Sequence, residues 1–375
     1  PASKDDIEEA QRFIHDCVAA RKPTLIVPDK DADGLASGVI LQWTLVLLGL
    51  TEHLITVHLV QKGANIHPDS ERAAIARCSP SYIFVLDQGS RHAPPVIDDP
   101  AHKALVIDHH QAETEDFPAG SQHITACHSP PVATTSLLTY LVCRDLHADI
   151  STKCDWLAVM GTHGDLDNSF KWESPFPDMA TTLKQHTRKR LNDAVSLINA
   201  PRRTAAYDVA GAWKALLDAS SPTELLANRT LLAARAEVNA EVERCTHVAP
   251  KFSADGRVAV LRIRSAAQVH PVIATRWAGH LAPAKLEIVL VANEGYLPGM
   301  VNFSFRVARC AKAKEPAVDI IGVLEEVANR TADPSLRERL VQSFARGHKQ
   351  ASGSVVPKDE FEELMAVLDV GSRMS

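Results

Sequence analysis

Three short apolar runs in this chain stop abruptly on carboxylates, and that repetition constrains the fold more than any other feature of the sequence. Thr24-Leu25-Ile26-Val27-Pro28 runs into Asp29-Lys30-Asp31-Ala32-Asp33-Gly34. Tyr82-Ile83-Phe84-Val85-Leu86 runs into Asp87-Gln88-Gly89-Ser90, and Ala104-Leu105-Val106-Ile107 into Asp108-His109-His110. Each run has the length and continuity of a strand buried on both faces. In an open parallel sheet such strands end side by side, and ligands sit outside their carboxyl ends. Uncompensated anions crowded there would repel one another, so a bound cation, and more simply two, is expected. Asp with His suits Zn, Mn or Fe, and the mixture argues against Ca or Mg alone. For residues 108–110 alone, a capping Asp followed by two solvated histidines reads equally well. Three runs ending in the same way favour the metal.

The intervals between these runs read as helices. Residues 4–20 form an amphipathic pattern, with Ile7, Phe13, Ile14 and Val18 apolar among acids. Leu35 to Leu48 read as a buried helix starting directly after Gly34, with Gly49 placed to end it. The acidic loop would then sit at a helix N-terminus, where backbone N–H groups favour an anion such as phosphate. A strand over 54–60, a helix around 70–77, a weak strand at 124–127 and a helix over 134–146 follow. Alternation of this kind predicts a doubly wound α/β sheet. Helical spacing over 154–161 leads into Gly161-Thr162-His163-Gly164-Asp165-Leu166-Asp167, where the glycines are expected to turn the backbone while His163 and Asp165 project.

Residues 188–217 are helical in pattern, interrupted at Pro201, and Arg202 and Arg203 there are candidates to face a phosphate. Thr223 to Val248 read as one long charged helix suited to connect two domains. Strands over 257–263, 286–292 and 301–307 follow, with helices over 271–281, 317–329, 336–345 and 358–369. The expected architecture is thus a doubly wound, mainly parallel sheet over residues 1–205, a helical connector over 206–250, and a smaller α/β or α+β domain over 251–375. Strand alternation in the last domain puts Asn302, Ser304 and Arg306 on one face and Phe303 and Phe305 on the other. That polar face reads as substrate-facing or as plainly solvated. Small residues around His348, in Arg346-Gly347-His348-Lys349-Gln350-Ala351-Ser352-Gly353, would let a ligand approach the backbone.

Composition narrows the partners. A net charge of −6 gives no global basic field, so nucleic-acid contact has to come from a local patch and from metals. The seven cysteines form no C-x-x-C pair and read as reduced thiols of an intracellular, cytoplasmic protein. The first residues, PASKDDIEEAQ, are unlike a signal or transit peptide, and the apolar run 41–50 is too short to span a bilayer, so no membrane partner is expected.

Taken together and in this order, the acidic segments and the glycine-histidine loop resemble the DHH phosphoesterase superfamily. More narrowly they resemble the branch with a DHH-associated C-terminal domain, which includes RecJ exonucleases and the nanoRNase group. Asp29-x-Asp31-x-Asp33-Gly34 resembles the first motif, Asp87 the second, Asp108-His109-His110 the third, and Gly161-Thr162 through Asp165 the fourth. Gly347-His348 with Ala351 and Gly353 resembles the C-terminal motif, with Arg346 where a glycine is usual. The resemblance implies that Asp31, Asp33, Asp87, His109 and Asp165 hold two Mn²⁺ ions, replaceable by Mg²⁺, with Asp87 bridging. It makes Asp108 the group that orients a histidine, and His110 the contact to the scissile phosphate or its leaving group. His348 and Arg306, with Gly347 and Arg346 beside them, would bind substrate phosphate from the second domain. Many members carry a His at the position of Val27; here Asp29 or water would complete that coordination, and His163, where an apolar residue is usual, is a candidate extra ligand.

The chemistry so implied is two-metal hydrolysis of a phosphodiester to nucleoside monophosphates. RecJ enzymes that degrade long single strands add an oligonucleotide-binding fold, for which 375 residues leave no room, and aromatics make up only 5% of the chain. A short single-stranded oligonucleotide or a small nucleotide diester is therefore the expected substrate. The alternatives are a nucleotide monophosphate phosphatase or a pyro- or polyphosphatase, and, from another class, an inactive RecJ-related scaffold.

Overall fold

The computed structural model describes residues 2–166, 170–344 and 351–371. Two compact units divide it: residues 1–202 with 208–235, and residues 203–207 with 236–375.

The first unit opens with helix α1 (Lys4–Ala20), strand β1 (Thr24–Pro28) and helix α2 (Ala32–Leu47). Strand β2 (Ile55–Val57), helix α3 (Asp69–Arg77), and strands β3 (Tyr82–Leu86), β4 (Lys103–Asp108) and β5 (Gln122–Thr125) come next. Helices α4 (Thr135–Cys143), α5 (Ala148–Leu166), α6 (Ala180–His186), α7 (Arg188–Asn199), α8 (Val209–Asp218) and α9 (Pro222–Ala227) complete it, with the start of α10 (Arg229–Thr246). The five strands form one sheet in the order β2-β1-β3-β4-β5, every pair parallel. Strand period two sorts the core. Leu25, Val27, Ile83, Val85, Ala104 and Val106 pack with Ile75 of α3. Phe13 of α1 packs edge-on against Tyr82 and Phe84 from the other side. Helices therefore cover both faces, as a doubly wound sheet requires. The three runs that end in carboxylates are the adjacent strands β1, β3 and β4.

Several boundaries differ from the sequence reading. α2 begins at Ala32, three residues early, because the Asp31 side chain caps it by accepting from the N–H groups of Asp33 and Gly34 at 3.2 Å. Ala32 N–H donates to Asn199 Oδ1. These donors are satisfied within the chain, so this helix end is not the open phosphate cradle the loop suggested. Gly161 and Gly164 do not turn the chain; α5 runs through both. The charged stretch 223–248 is two helices, broken at Asn228, whose backbone is extended and whose Oδ1 accepts from Leu231 N–H.

In the second unit, strands β6 (Lys251–Phe252) and β7 (Val258–Ile263) precede helix α11 (His270–His280). Strands β8 (Ile288–Asn293) and β9 (Met300–Val307) then lead to α12 (Ile320–Ala328), α13 (Pro334–Phe344), β10 (Ala351–Pro357) and α14 (Lys358–Val367). The sheet order is β10-β9-β8-β7-β6, with only β7 and β8 parallel. β6 and β10 were not expected: one is two residues long, and the other reads as Gly- and Ser-rich loop. All seven cysteines are free thiols. Among the described residues no helix is long and apolar enough to cross a membrane.

Candidate metal centre

The carboxyl ends of β1, β3 and β4 bring the expected acidic groups together. Asp29, Asp31 and Asp87 each offer an oxygen within 4.8 Å of one another, and Asp87, His109 and His110 form a second such group. Asp87 belongs to both. His109 Nε2 lies 3.4 Å from Asp87 Oδ1, 3.4 Å from Asp165 Oδ2 and 3.9 Å from Asp33 Oδ2. Donors that share one ion at about 2.1 Å stand about 3.0–3.4 Å apart, so the spacings of His109 to Asp87 and Asp165 suit a divalent cation between them. Asp87 also holds a left-handed backbone, with φ of 61°, a conformation Asp tolerates better than most residues. The chain turns sharply there and aims the carboxylate back across the strand ends.

The second ring of contacts explains how so many carboxylates are held. Asp33 is 2% exposed, and its oxygens accept from Thr135 N–H at 2.8 Å, Ser136 N–H at 3.0 Å and Ser136 Oγ. The amino end of α4, with its unpaired amides and positive dipole end, thus grips Asp33. Thr135 Oγ1 donates to Asp87 Oδ1 at 2.9 Å. Gly161 of α5 explains the close approach: a Cβ there would run into Ser136 Oγ and Asp33 Oδ1. Arg202 approaches Asp31 at 3.8 Å and donates to Asn199, so it supports the acidic loop. Lys30 pairs with Asp29 at 3.3 Å.

The electrostatics of the site reflect this crowding. Burial, then the charges of Asp33, Asp31, Asp29 and Asp108, hold the Asp87 carboxyl well above the usual carboxylate range. Burial also raises Asp33, against the pull of His109 and Ser136. Burial acts on Asp31 too, but Arg202, the Gly34 N–H and Lys30 outweigh it and leave that carboxyl below its ordinary value. A buried acid raised by an anionic cluster is one that a bound divalent cation would return to its charged form.

Asp108 and His110 form a separate pair. Asp108 is fully buried and accepts from Ser90 N–H at 3.0 Å, Ser90 Oγ at 2.7 Å and His110 Nδ1 at 2.7 Å. The Asp108 hydrogen bond lifts His110 to about 9 against partial burial, so the ring is an imidazolium at neutral pH. The reading of residues 108–110 as a cap with two solvated histidines does not fit a fully buried Asp108 and a His109 ring turned into the acidic cluster.

Other expected residues fall elsewhere. His163 is buried with its Nδ1 3.0 Å from Asn192 Oδ1, and it is in neither metal-sized group found among the described residues. Arg306 lies on β9 in the second unit. Arg346, Gly347 and His348 lie outside the described residues. Thr135, Ser136, Ser90 and Asn199 were not singled out from sequence. The available signal for the first two was Thr134-Thr135-Ser136 directly before an apolar helical run, a cap signature that also puts donors at one point.

Residues 23–162 match the model of the DHH family, N-terminal domain. No curated protein matches the chain by sequence. Among solved structures, RecJ in complex with Mn²⁺ from Thermus thermophilus is 17% identical, with a TM-score of 0.68 over 98% of this chain and 54% of that one. The chain thus spans about half the length of that RecJ. An exonuclease RecJ bound to manganese is 19% identical, with a TM-score of 0.65, covering 98% of this chain and 94% of that chain. CDC45 from Entamoeba histolytica is 10% identical, with a TM-score of 0.54, covering 97% and 98%. The family match thus covers residues 23–162, which lie within the first unit. The fold of the chain is RecJ-like across both units.

Proposed function

We propose that this protein is a phosphodiesterase that hydrolyses short single-stranded oligonucleotides or small nucleotide diesters to nucleoside monophosphates, with Mn²⁺ as its ion and Mg²⁺ as a substitute. The observation that supports this most is the shared position of Asp87. It belongs to two carboxylate or imidazole groups of metal-binding size, and burial with the charges of the neighbouring carboxylates holds it well above the usual carboxylate range.

In this reading Asp87 bridges two positions. Asp31 and Asp29 complete one, while Asp33, His109 and Asp165 complete the other. Divalent ions bound by these residues would supply Lewis-acid chemistry to a displacement at phosphorus. The protein's own groups do the rest. Thr135 and Ser136 fix the carboxylate angles of Asp87 and Asp33 so that neither swings out of register. Asp108 holds the His110 ring by Nδ1 and keeps it protonated. The free side of that imidazolium then meets the negative charge that grows on a phosphoryl oxygen, and it is a proton donor for the leaving oxygen. The side chain of His110 is 55% exposed, so substrate has access to it. In the second unit Arg306, with His348 of the glycine-histidine motif, binds substrate phosphate.

A substrate panel with Mn²⁺ tests the reading: end-labelled single-stranded DNA and RNA of graded length, dinucleotides, cyclic dinucleotides, nucleoside monophosphates, pyrophosphate and polyphosphate. The expected result is release of mononucleotides, fastest from the short strands. Release of inorganic phosphate from monophosphates or polyphosphate, with diesters untouched, overturns it in favour of a phosphatase. No turnover of any substrate would leave a scaffold.

A further inference from the structure

One segment of the first unit is built unlike the rest of this acidic chain. Over residues 170–190, five cations (Lys171, Lys184, Arg188, Lys189 and Arg190) stand against two acids, Glu173 and Asp178, while the whole chain has a net charge of −6. Three aromatic residues, Phe170, Trp172 and Phe176, occupy its first seven positions, in a chain that is 5% aromatic. The segment begins five residues after Asp165, so the Cα of Phe170 lies within roughly 18 Å of that proposed metal ligand. Its other end is the start of α7, whose course beside the acidic loop is fixed by two contacts. Asn192 meets His163 at 3.0 Å, and Asn199 accepts from Ala32 N–H at the start of α2. Arg188 opens α7, about 16 Å from Asn199 along the helix.

The rings are arranged as a platform. Phe176 is buried, Phe170 packs on it with ring centroids 5.0 Å apart, and Trp172 meets Phe170 edge-on at 4.9 Å. Phe170 and Trp172 are each only partly covered, and Leu166, one residue past Asp165, is 36% exposed. Trp172 Nε1 is covered and has no hydrogen-bond partner among the described residues. A ring kept only for the core usually has that N–H paired, so packing stability alone does not explain its place. The cations are equally unexplained by the fold. Lys171, Lys184, Lys189 and Arg190 are exposed, and none has an acidic partner among the described residues. Exposed bases elsewhere do: Lys214 with Asp218, Arg276 with Glu243, and Arg339 with Glu363. Arg188, Lys189 and Arg190 also crowd the amino end of α7, where the helix dipole disfavours positive charge and no acid offsets them. A polyanion that carries planar groups satisfies both features, with its phosphates on the cations and its bases on the rings.

We propose that residues 170–190 form a track for single-stranded nucleic acid beside the metal centre, with bases stacking on Phe170 and Trp172 and backbone phosphates on Lys171, Lys184, Lys189 and Arg190. A span of about 16 Å takes about five nucleotides at the duplex rise of about 3.4 Å per phosphate, and fewer in an extended strand. The inference rests on the function proposed above and narrows its substrate class from small nucleotide diesters to strands of several nucleotides.

The test uses the full chain in chelator, which prevents turnover, with fluorescently labelled single strands of DNA and RNA, from dinucleotides upward, as probes. Affinity should rise with length up to about five nucleotides and then level off. The double variant Lys189→Gln/Arg190→Gln, which changes only exposed side chains, should bind the longer strands more weakly and lower the slope of log K against log salt by about 1.4. Trp172→Ala should weaken them about 5- to 150-fold, and Trp172→Phe, which keeps a ring, should recover most of that affinity. With Mn²⁺ present, the rise in KM of the double variant should be larger on a pentanucleotide than on a dinucleotide. Affinity independent of length, a double variant or a Trp172→Ala protein that binds as the wild type does, or polyglutamate competing as well as a strand of equal charge overturns the inference. If the wild type hydrolyses no strand with Mn²⁺, the proposed function fails, and the metal-free titrations still decide the track.

Discussion

Asp87 concentrates the account at the residue scale, because burial and four neighbouring carboxylates act on it together. Its raised folded-state pKa has a consequence for the metal-free protein. An acid held above its unfolded value adds stability that is fully present below the unfolded pKa and is lost as pH rises through the folded one. The apo protein should therefore melt at a higher temperature at mildly acid pH than at neutral pH. Thermal scans in chelator across that range should show the rise, and Asp87→Asn should flatten it. Gly161 supplies a second residue-scale prediction. A methyl group there meets Ser136 Oγ and Asp33 Oδ1, so Gly161→Ala should displace the hydroxyl that orients Asp33. Changes to groups that orient metal ligands cost about 10–100-fold in affinity or activity. Calorimetric titration with Mn²⁺ should show that loss, and an unchanged affinity would mean that α4 gives way without disturbing Asp33.

At the scale of elements, the sequence disclosed the strands that carry the site better than the helices that support it. β1, β3 and β4 were legible because each is a continuous apolar run cut off by charge, and few other structures present that pattern. α5 was misread at its end because Gly161 and Gly164 mark turns when only local chain bending is considered. Here they are needed for the close approach of Ser136 at the start of α4 and of Ala32 at the start of α2. β10 was missed for the complementary reason: Ser352, Gly353 and Ser354 carry little apolar signal, and only pairing with β9 makes them a strand. The support given by α4, Thr135 and Ser136 to Asp33 and Thr135 to Asp87, depends on contacts 102, 103 and 48 residues apart in sequence and could not be read locally. α10 yields an element-scale prediction within the second unit. Glu241 accepts from Arg244 at 2.8 and 2.6 Å and from Ser265 Oγ, and Arg244 first, with Ser265, holds its carboxyl at about 2. A depressed acid stabilises above its unfolded pKa and loses that contribution as pH falls through the folded one. Glu241→Gln should therefore cost about 1–2 kcal/mol at neutral pH and progressively less below about pH 4.5, the ordinary value of a glutamate. Denaturant titrations at the two pH values measure the difference.

At the scale of the whole molecule, the proposed metal chemistry belongs to the first unit. All proposed metal ligands lie in that unit. Binding to the native state alone stabilises by mass action, about 2.7 kcal/mol at a hundredfold excess over Kd. Mn²⁺ should therefore raise the melting transition of the first unit, and chelator should reverse it. A Mn²⁺ response confined to the second unit would refute that assignment. The measurement that tests the central claim most directly is Mn²⁺-dependent hydrolysis of a short end-labelled oligonucleotide by the wild type and Asp87→Asn, side by side. Shared ligation by Asp87 predicts mononucleotide release by the wild type that saturates with Mn²⁺, and none by a variant that is folded and melts no lower without metal. Near wild-type, Mn²⁺-dependent hydrolysis by Asp87→Asn would contradict the two-ion centre.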